Sequence, residues 1–219
     1  METDHTLEIM NTYKGVPFIS RAKVLNIEGD VVSLITLDPA IVCLRNDKFT
    51  RVLGSDYFEP SAARVVSVDI PLGVFKLSSF TYSGAKLGER MIVRVQPAGV
   101  IEVNVESENQ GIIGHLVDLS LSGLGLRIRQ DEYGLWLKPG TLIQLSMELP
   151  NGQVTGSGTI LSVEKMNAEH YRLSIRFAQN VQHRSTIFRY LIDRRAEIEQ
   201  ELRHEYEEAV YKREKNNKA

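Results

Sequence analysis

Short apolar runs, each ended by a turn signal, occupy most of the chain up to about residue 180. From Arg21 to about Phe80 the runs are AKVLNIEGDVVSLITL, AIVCL, ARVVSVDI and GVFKLSSF, and Gly or Pro residues separate them. Short strand-like runs at this spacing predict a small β-barrel or sandwich.

A second series follows the polar stretch TYSGAKLGER, which resembles an interdomain linker. Its runs are MIVRVQP, GVIEVNVES, GIIGHLVDLS, GLGLRIR, TLIQLSMEL, VTGSGTILSVEKM and YRLSIRFA. Seven short runs with no helical period favour a closed antiparallel barrel, which leaves no strand edge exposed. We therefore place one β-rich domain with its linker at residues 1–86 and a barrel at residues 87–180.

The hydrophobic period changes after Gln179, and residues 181–219 are predicted to form an amphipathic helix. One stripe at helical spacing contains Ile187, Leu191, Ile198, Leu202, Tyr206 and Ala209. At about 1.5 Å per residue the helix extends roughly 45 Å, more than a small barrel needs for cover. Its far half is expected to project with a coiled-coil-like seam, or alternatively to be a solvated single helix stabilised by Glu and Arg pairs.

The amino-acid composition and charge of the chain argue against several classes of function. The chain has 26 basic and 28 acidic residues and a formal net charge of -2, so no global field recruits nucleic acid or an anionic membrane. The single cysteine, Cys43, lies in an apolar run and is expected to be a buried hydrophobe. The five His are scattered, no metal-ligand set is apparent, and no signal peptide or long apolar segment is seen, which favours a cytoplasmic protein without a membrane span.

Residues 117–129, VDLSLSGLGLRIR, form a strand-like run interrupted by Asp, Ser and Gly, which fit a half-buried strand poorly. One explanation is a β-bulge or tight bend, where Gly supplies backbone freedom and Asp or Ser bonds its own backbone. The other is a ligand site, and the sequence of this run alone leaves both open.

Two arginines upstream favour the ligand site. Arg90 and Arg94 lie four apart in ERMIVR, so in an extended chain both point to one side, about 13 Å apart. Their planar guanidinium groups suit phosphate oxygens or a guanine O6/N7 edge. Three residues of the interrupted run complement the two arginines. The Asp118 carboxylate can accept from the guanine N1-H and N2-H edge, and the Ser120 hydroxyl can add a hydrogen bond. Gly123 lets the backbone approach a ligand.

Arg90-x-x-x-Arg94 followed by Asp118-x-Ser120-x-x-Gly123 resembles the double signature of PilZ domains, bacterial receptors for cyclic di-GMP. The resemblance covers residues 89–192 and includes YRLSIRF near the barrel's end and IFRYLI in the following helix. The N-terminal part is similar in layout to the β-rich domain of flagellar-brake proteins of the YcgR type. The expected fold is mainly β: an N-terminal split-barrel-like domain, a six-stranded antiparallel PilZ barrel and a long C-terminal α-helix.

The resemblance implies that Arg90 and Arg94 clasp phosphate and guanine, while Asp118, Ser120 and Gly123 line the barrel face they close upon. Further candidates for ligand contact are Glu89, Ser122, Gly125 and Arg127. Glu89 lies at a position that the family links to holding one nucleotide or a stacked pair, and an acidic residue there matches neither usual choice. Ser174 stands where the family often has Gly late in the barrel.

The predicted function is a non-enzymatic effector that binds cyclic di-GMP, needs no cofactor or metal, and changes its interdomain arrangement to regulate motility, exopolysaccharide or biofilm output. Expected partners are cyclic di-GMP, a protein of the motility or polysaccharide machinery, and a second copy through the C-terminal helix. Two alternatives remain: a degenerate PilZ scaffold that oligomerises through this helix without binding nucleotide, and a flavin-binding split-barrel enzyme, for which no base or nucleophile is found.

Overall fold

The computed structural model describes residues 5–53, 61–82, 93–108, 110–179 and 184–216. It confirms the mainly β fold: two closed six-stranded antiparallel barrels and one C-terminal helix. The chain divides into two compact units, one of Met1–Met91 with Glu197–Ala219 and the other of Ile92–Ala196. The domain boundary predicted near residue 86 lies outside the described residues.

The first barrel contains six strands: β1 Thr6–Tyr13, β2 Val16–Glu28, β3 Val31–Ile35, β4 Phe49–Leu53, β5 Ser61–Asp69 and β6 Val74–Tyr82. A 3-10 helix, Pro39–Arg45, connects β3 to β4 and contains the apolar run AIVCL, so the prediction of a strand there is wrong. The cause is local, because Pro39 presets a helical φ and the Asp38 carboxylate accepts a hydrogen bond of 2.8 Å from the Ala40 amide.

The 3-10 helix contributes to the core of this barrel. Ile41 and Leu44 are buried beside Phe75 and Leu34 of the strands. Cys43 is 4% exposed, as expected of a buried hydrophobe, and burial raises the pKa of its thiol to about 12.

The second barrel contains the other six strands: β7 Glu102–Ser107, β8 Gln110–Ser120, β9 Gly123–Arg129, β10 Leu142–Leu149, β11 Gly152–Lys165 and β12 His170–Phe177. Of the seven runs predicted here, MIVRVQP forms no strand within its described part, residues 93–97. It contributes a single bridge, in which the amides of Val95 and Leu119 each donate to the other's carbonyl, at 2.9 and 3.0 Å. This bridge fixes the entering chain beside β8.

The two barrels share one connectivity. Each follows the strand order first-second-third-sixth-fifth-fourth, and the fourth strand closes on the first. Each also has a β-bulge in its second strand at the same distance from the hairpin turn, with Leu25 as the extra residue of β2 and Val117 as the extra residue of β8. A bulge bends the strand and re-aims the side chain that follows it, here Asn26 and Asp118.

The C-terminal helix, α1, runs from Arg184 to Asn216. Within the second unit its buried side chains include Ile187 and Tyr190. Within the first unit Leu202, 3% exposed, joins the core cluster of the first barrel, and Tyr206 and Ala209 pack against the same cluster.

The prediction that the far half of the helix projects is therefore wrong. Its apolar stripe is covered by the chain's own barrel, and polar contacts flank it. The Tyr13 hydroxyl donates to the Glu205 carboxylate, Lys14 Nζ lies 2.5 Å from Glu201 Oε2, and Arg213 Nη1 lies 3.6 Å from Asp69 Oδ1. Burial and the bond to Glu205 raise the pKa of Tyr13. In the described part of the chain, no helix has the length and apolar character needed to cross a membrane.

Replacing Leu202 by Ala tests this packing. We expect the free energy of unfolding to fall by about 2 to 5 kcal/mol, because the change opens a cavity in a filled core. Arg203→Ala, at the neighbouring exposed position, is the control and should change stability by about 0.5 kcal/mol or less. Urea titration of both variants measures the difference, and equal midpoints would contradict the packing.

Candidate functional site

The run VDLSLSGLGLRIR is a β-hairpin. Strand β8 ends at Ser120, β9 begins at the opposite residue Gly123, and Leu121 and Ser122 form the loop. Ser120 is fully buried, and its hydroxyl donates a 2.9 Å hydrogen bond to the Gly123 carbonyl. The Ser122 hydroxyl lies 3.3 Å from that of Ser120. The Ser120 side chain thus serves the turn itself, and any contact it makes with a ligand remains a prediction.

Gly123 is required by the approach of a neighbouring strand. A Cβ built on Gly123 would lie 2.1 Å from the Ile175 carbonyl oxygen of β12. The sequence predicts that Gly123 leaves space for a ligand, whereas in the structure the backbone of β12 occupies the space beside Gly123. A ligand contact through the Gly123 backbone remains a prediction.

The bulge in β8 brings the two halves of the predicted signature together. Asp118, 8% exposed, is the first paired residue after the bulge. Its Oδ1 accepts a 3.1 Å hydrogen bond from Arg94 Nη1, and the bridge between Val95 and Leu119 holds the backbone next to both residues. Arg90 and Glu89 lie outside the described residues, so their predicted contacts are proposals only.

A third residue, Arg172 of β12, completes the ion-pair network. Its Nη2 donates to Asp118 Oδ2, the carboxylate oxygen that Arg94 does not use. Arg172 was not predicted as a site residue, because it is 54 residues from Asp118 in sequence. The one signal available was the alternation in YRLSIRF, where Arg172 and Arg176 flank Ser174 on the face opposite the buried Leu173 and Ile175.

Small residues lie next to the ion-pair network of Arg94, Asp118 and Arg172. Gly125 of β9 is paired with Asp118 on one side and with Ser174 on the other. A Cβ on Gly125 would lie 2.9 Å from Arg172 Nη2 and 3.0 Å from Asp118 Oδ2. The next row along the sheet carries Arg127, which is exposed and pairs with Arg172.

The charge balance of this surface favours an anion. Arg94 and Arg172 both contact the Asp118 carboxylate, so this network of three side chains carries one net positive charge. Among the described residues, no group of three or more His, Cys, Asp or Glu side chains is arranged to hold a metal ion. These contacts make this surface of the small β-barrel a candidate site for an anion.

Comparison with known families identifies this barrel. Residues 89–193 match the family model of the PilZ domain, a segment that includes all six strands β7–β12 and the start of α1. This part of the chain is a PilZ domain. No curated protein sequence matches the chain.

Several solved structures are similar to the chain over both barrels. The inhibitor of motility MotI/DgrA of Bacillus subtilis is 14% identical, with 90% of this chain and 98% of that chain covered and a TM-score of 0.45. The complex of MrkH of K. pneumonia with c-di-GMP is 14% identical, with 89% and 90% covered and a TM-score of 0.49. YcgR of Escherichia coli in complex with c-di-GMP is 18% identical, with 92% and 88% covered and a TM-score of 0.42.

The packing at Gly123 leads to a stability prediction. Gly123→Ala should lower the free energy of unfolding by about 1 to 3 kcal/mol, because the methyl group would overlap the Ile175 carbonyl oxygen and push β12 away. The matched control is Gly99→Ala in the same unit, since a Cβ there meets no atom within 4 Å. Thermal unfolding of both variants measures the effect, and an unchanged melting temperature for Gly123→Ala would disprove the close approach.

Proposed function

We propose that this protein is a bacterial, cytoplasmic signalling effector that binds cyclic di-GMP on the outer face of its PilZ barrel and has no enzymatic role. The ligand-binding residues are Arg90, Arg94 and Asp118, with the Ser120–Gly123 hairpin shaping the face. Its output is the regulation of motility, exopolysaccharide or biofilm formation through a protein partner.

One observation carries the proposal: the Arg94 guanidinium lies 3.1 Å from the Asp118 carboxylate within a segment that matches the PilZ family. The two residues come from separate motifs, so their meeting is a property of the fold. Support also comes from the surplus positive charge of the network, which suits a ligand with two phosphodiester groups.

The Asp118 carboxylate retains capacity for a guanine edge. An ionised carboxylate has about four lone-pair positions on its two oxygens, and Arg94 and Arg172 each occupy one. The remaining positions can accept the N1-H and N2-H donors of guanine, while Arg90 and Arg94 serve the phosphate groups. Asp118 therefore reads the base, and Arg94 and Arg90 supply the charge complement.

Nucleotide capture is proposed to change the interdomain arrangement. Arg90 lies in the stretch of sequence that joins the two units, and Arg94 lies just after it, so a ligand held by both would constrain that stretch. The ligand would favour the arrangement in which it contacts both arginines and Asp118, which is a population shift driven by differential affinity.

The alternative is a nucleotide-free scaffold that oligomerises through the apolar stripe predicted on the C-terminal helix. The far half of that stripe is occupied, because Leu202, Tyr206 and Ala209 pack on the first barrel.

Calorimetric titration with cyclic di-GMP tests the binding proposal. We expect saturable binding by the wild type, and at least about tenfold weaker binding by Arg94→Ala and Asp118→Ala, since each removes a charge-assisted contact worth about 1.5 to 3 kcal/mol. Lys138→Ala, which removes an exposed cation elsewhere in the same unit, should bind like the wild type. Absence of binding at tens of micromolar, or equal affinities across the series, would sink the proposal.

Small-angle scattering tests the change in domain arrangement separately. The distance distribution of the wild type should change when cyclic di-GMP is added to saturation, whereas that of Arg94→Ala at the same nucleotide concentration should not. If calorimetry shows binding and the wild-type scattering curve stays the same, the conformational mechanism is wrong and the binding proposal stands.

A further inference from the structure

We propose that Arg172 is a positioning residue of this site, which orients the Asp118 carboxylate for the guanine edge and so contributes to base recognition. This inference rests on the proposed function. It concerns a residue outside both sequence motifs, and it assigns the preference for guanine to a pair of side chains from β8 and β12 rather than to Asp118 alone.

The geometry separates the two arginines that contact Asp118. Arg94 contacts Oδ1 from the segment that enters the barrel, whereas Arg172 contacts Oδ2 from the middle of a strand paired on both sides. The side chains of Arg94, Arg172 and Asp118 are 33%, 29% and 12% exposed. The carboxylate is thus held between two partners, one on a chain segment outside the strands and one fixed by the sheet.

Gly125 makes the second contact available. Because a Cβ at this position would come within 3.0 Å of both Arg172 Nη2 and Asp118 Oδ2, a side chain here would force the pair apart. Asp118 and Arg172 are not themselves paired across strands, since each pairs with β9, at Gly125 and Arg127 respectively. Their diagonal contact crosses the strand at the glycine.

Charge explains why Arg172 matters most when ligand is present. The ligand's phosphate groups compete with Asp118 for Arg94, because a guanidinium pairs with either anion. If Arg94 turns to phosphate, Arg172 is the partner that keeps the buried Asp118 carboxylate paired, and an unpaired buried carboxylate is costly. Arg172 therefore allows Arg94 to serve the ligand without leaving Asp118 uncompensated.

The contact between Arg172 and Asp118 Oδ2 also orients the Asp118 carboxylate. With Oδ2 held by Arg172, the carboxylate plane is fixed and its free lone pairs keep one direction. A guanine edge presents two donors side by side, N1-H and the exocyclic N2-H, and it gains both bonds only when the carboxylate plane matches the base. Without Arg172 the carboxylate can rotate about its side-chain torsions, and the bond to the second donor is lost first.

Calorimetry with two ligands against three proteins tests the inference. The ligands are cyclic di-GMP and cyclic di-IMP, which lacks the exocyclic amino group, and the proteins are the wild type, Arg172→Ala and Lys165→Ala as a charge-matched control on β11. For the wild type and the control we expect cyclic di-IMP to bind about tenfold or more weakly than cyclic di-GMP. For Arg172→Ala we expect at least tenfold weaker binding of cyclic di-GMP and a ratio between the two ligands that falls to about threefold or less.

Each outcome is decisive. If Arg172→Ala weakens both ligands by the same factor, Arg172 has only a structural or general electrostatic role and the inference is wrong. Unchanged or tighter binding by Arg172→Ala also overturns it. A wild type that binds neither ligand refutes the proposed function itself, which this design distinguishes from failure of the inference.

A conservative variant covers loss of folding. Should Arg172→Ala unfold, Arg172→Lys keeps the positive charge but cannot present a planar fork, and it should reduce the ratio between the ligands in the same direction by a smaller factor. A wild-type ratio in a folded Arg172→Lys would count against the inference.

Discussion

The close pairing of β9 with β12 is the constraint on which the candidate site depends. At Gly123 the two backbones approach so closely that a single added carbon would meet a carbonyl oxygen at 2.1 Å. In the register of this pairing, Gly125 lies beside Asp118, and Arg172 is within reach of the Asp118 carboxylate. The two glycines therefore have different roles. Gly123 allows the backbone of β12 to approach, and Gly125 leaves room for the ion pair between Arg172 and Asp118.

Arg94 and Asp118, which meet in the structure, could be singled out from the sequence because each lies in a short local motif. The arginine pair and the DLSLSG stretch are each short, and their residue types have specific chemistry toward phosphate and guanine. Arg172 could not be predicted in the same way, because its role depends on the pairing of β9 with β12 and on a diagonal contact across a glycine. Long-range strand register leaves no local signal in a sequence of alternating residues.

The helix and the first barrel show the same limit in another form. The apolar stripe of the C-terminal helix was predicted by its period, but the period does not say which surface covers it, and Leu202 packs in the core of the first barrel. Likewise the apolar run around Cys43 fits a strand by composition, although Asp38 and Pro39 direct it into a 3-10 helix. In both cases hydrophobicity predicted burial correctly, while the type of contact or element was decided by neighbours.

The common connectivity of the two barrels makes the first barrel an internal reference for the second. By the pairing of their strands, Asn26 stands where the second barrel has Asp118, Ser33 where it has Gly125, and Val74 where it has Arg172. The Asn26 amide donates instead to Glu28, at 2.8 Å, within its own strand. One backbone plan thus occurs twice in this chain, once with a carboxylate held by arginines and once with a neutral amide. The chemistry of the candidate site therefore lies in a few side chains and is separable from the architecture that presents them.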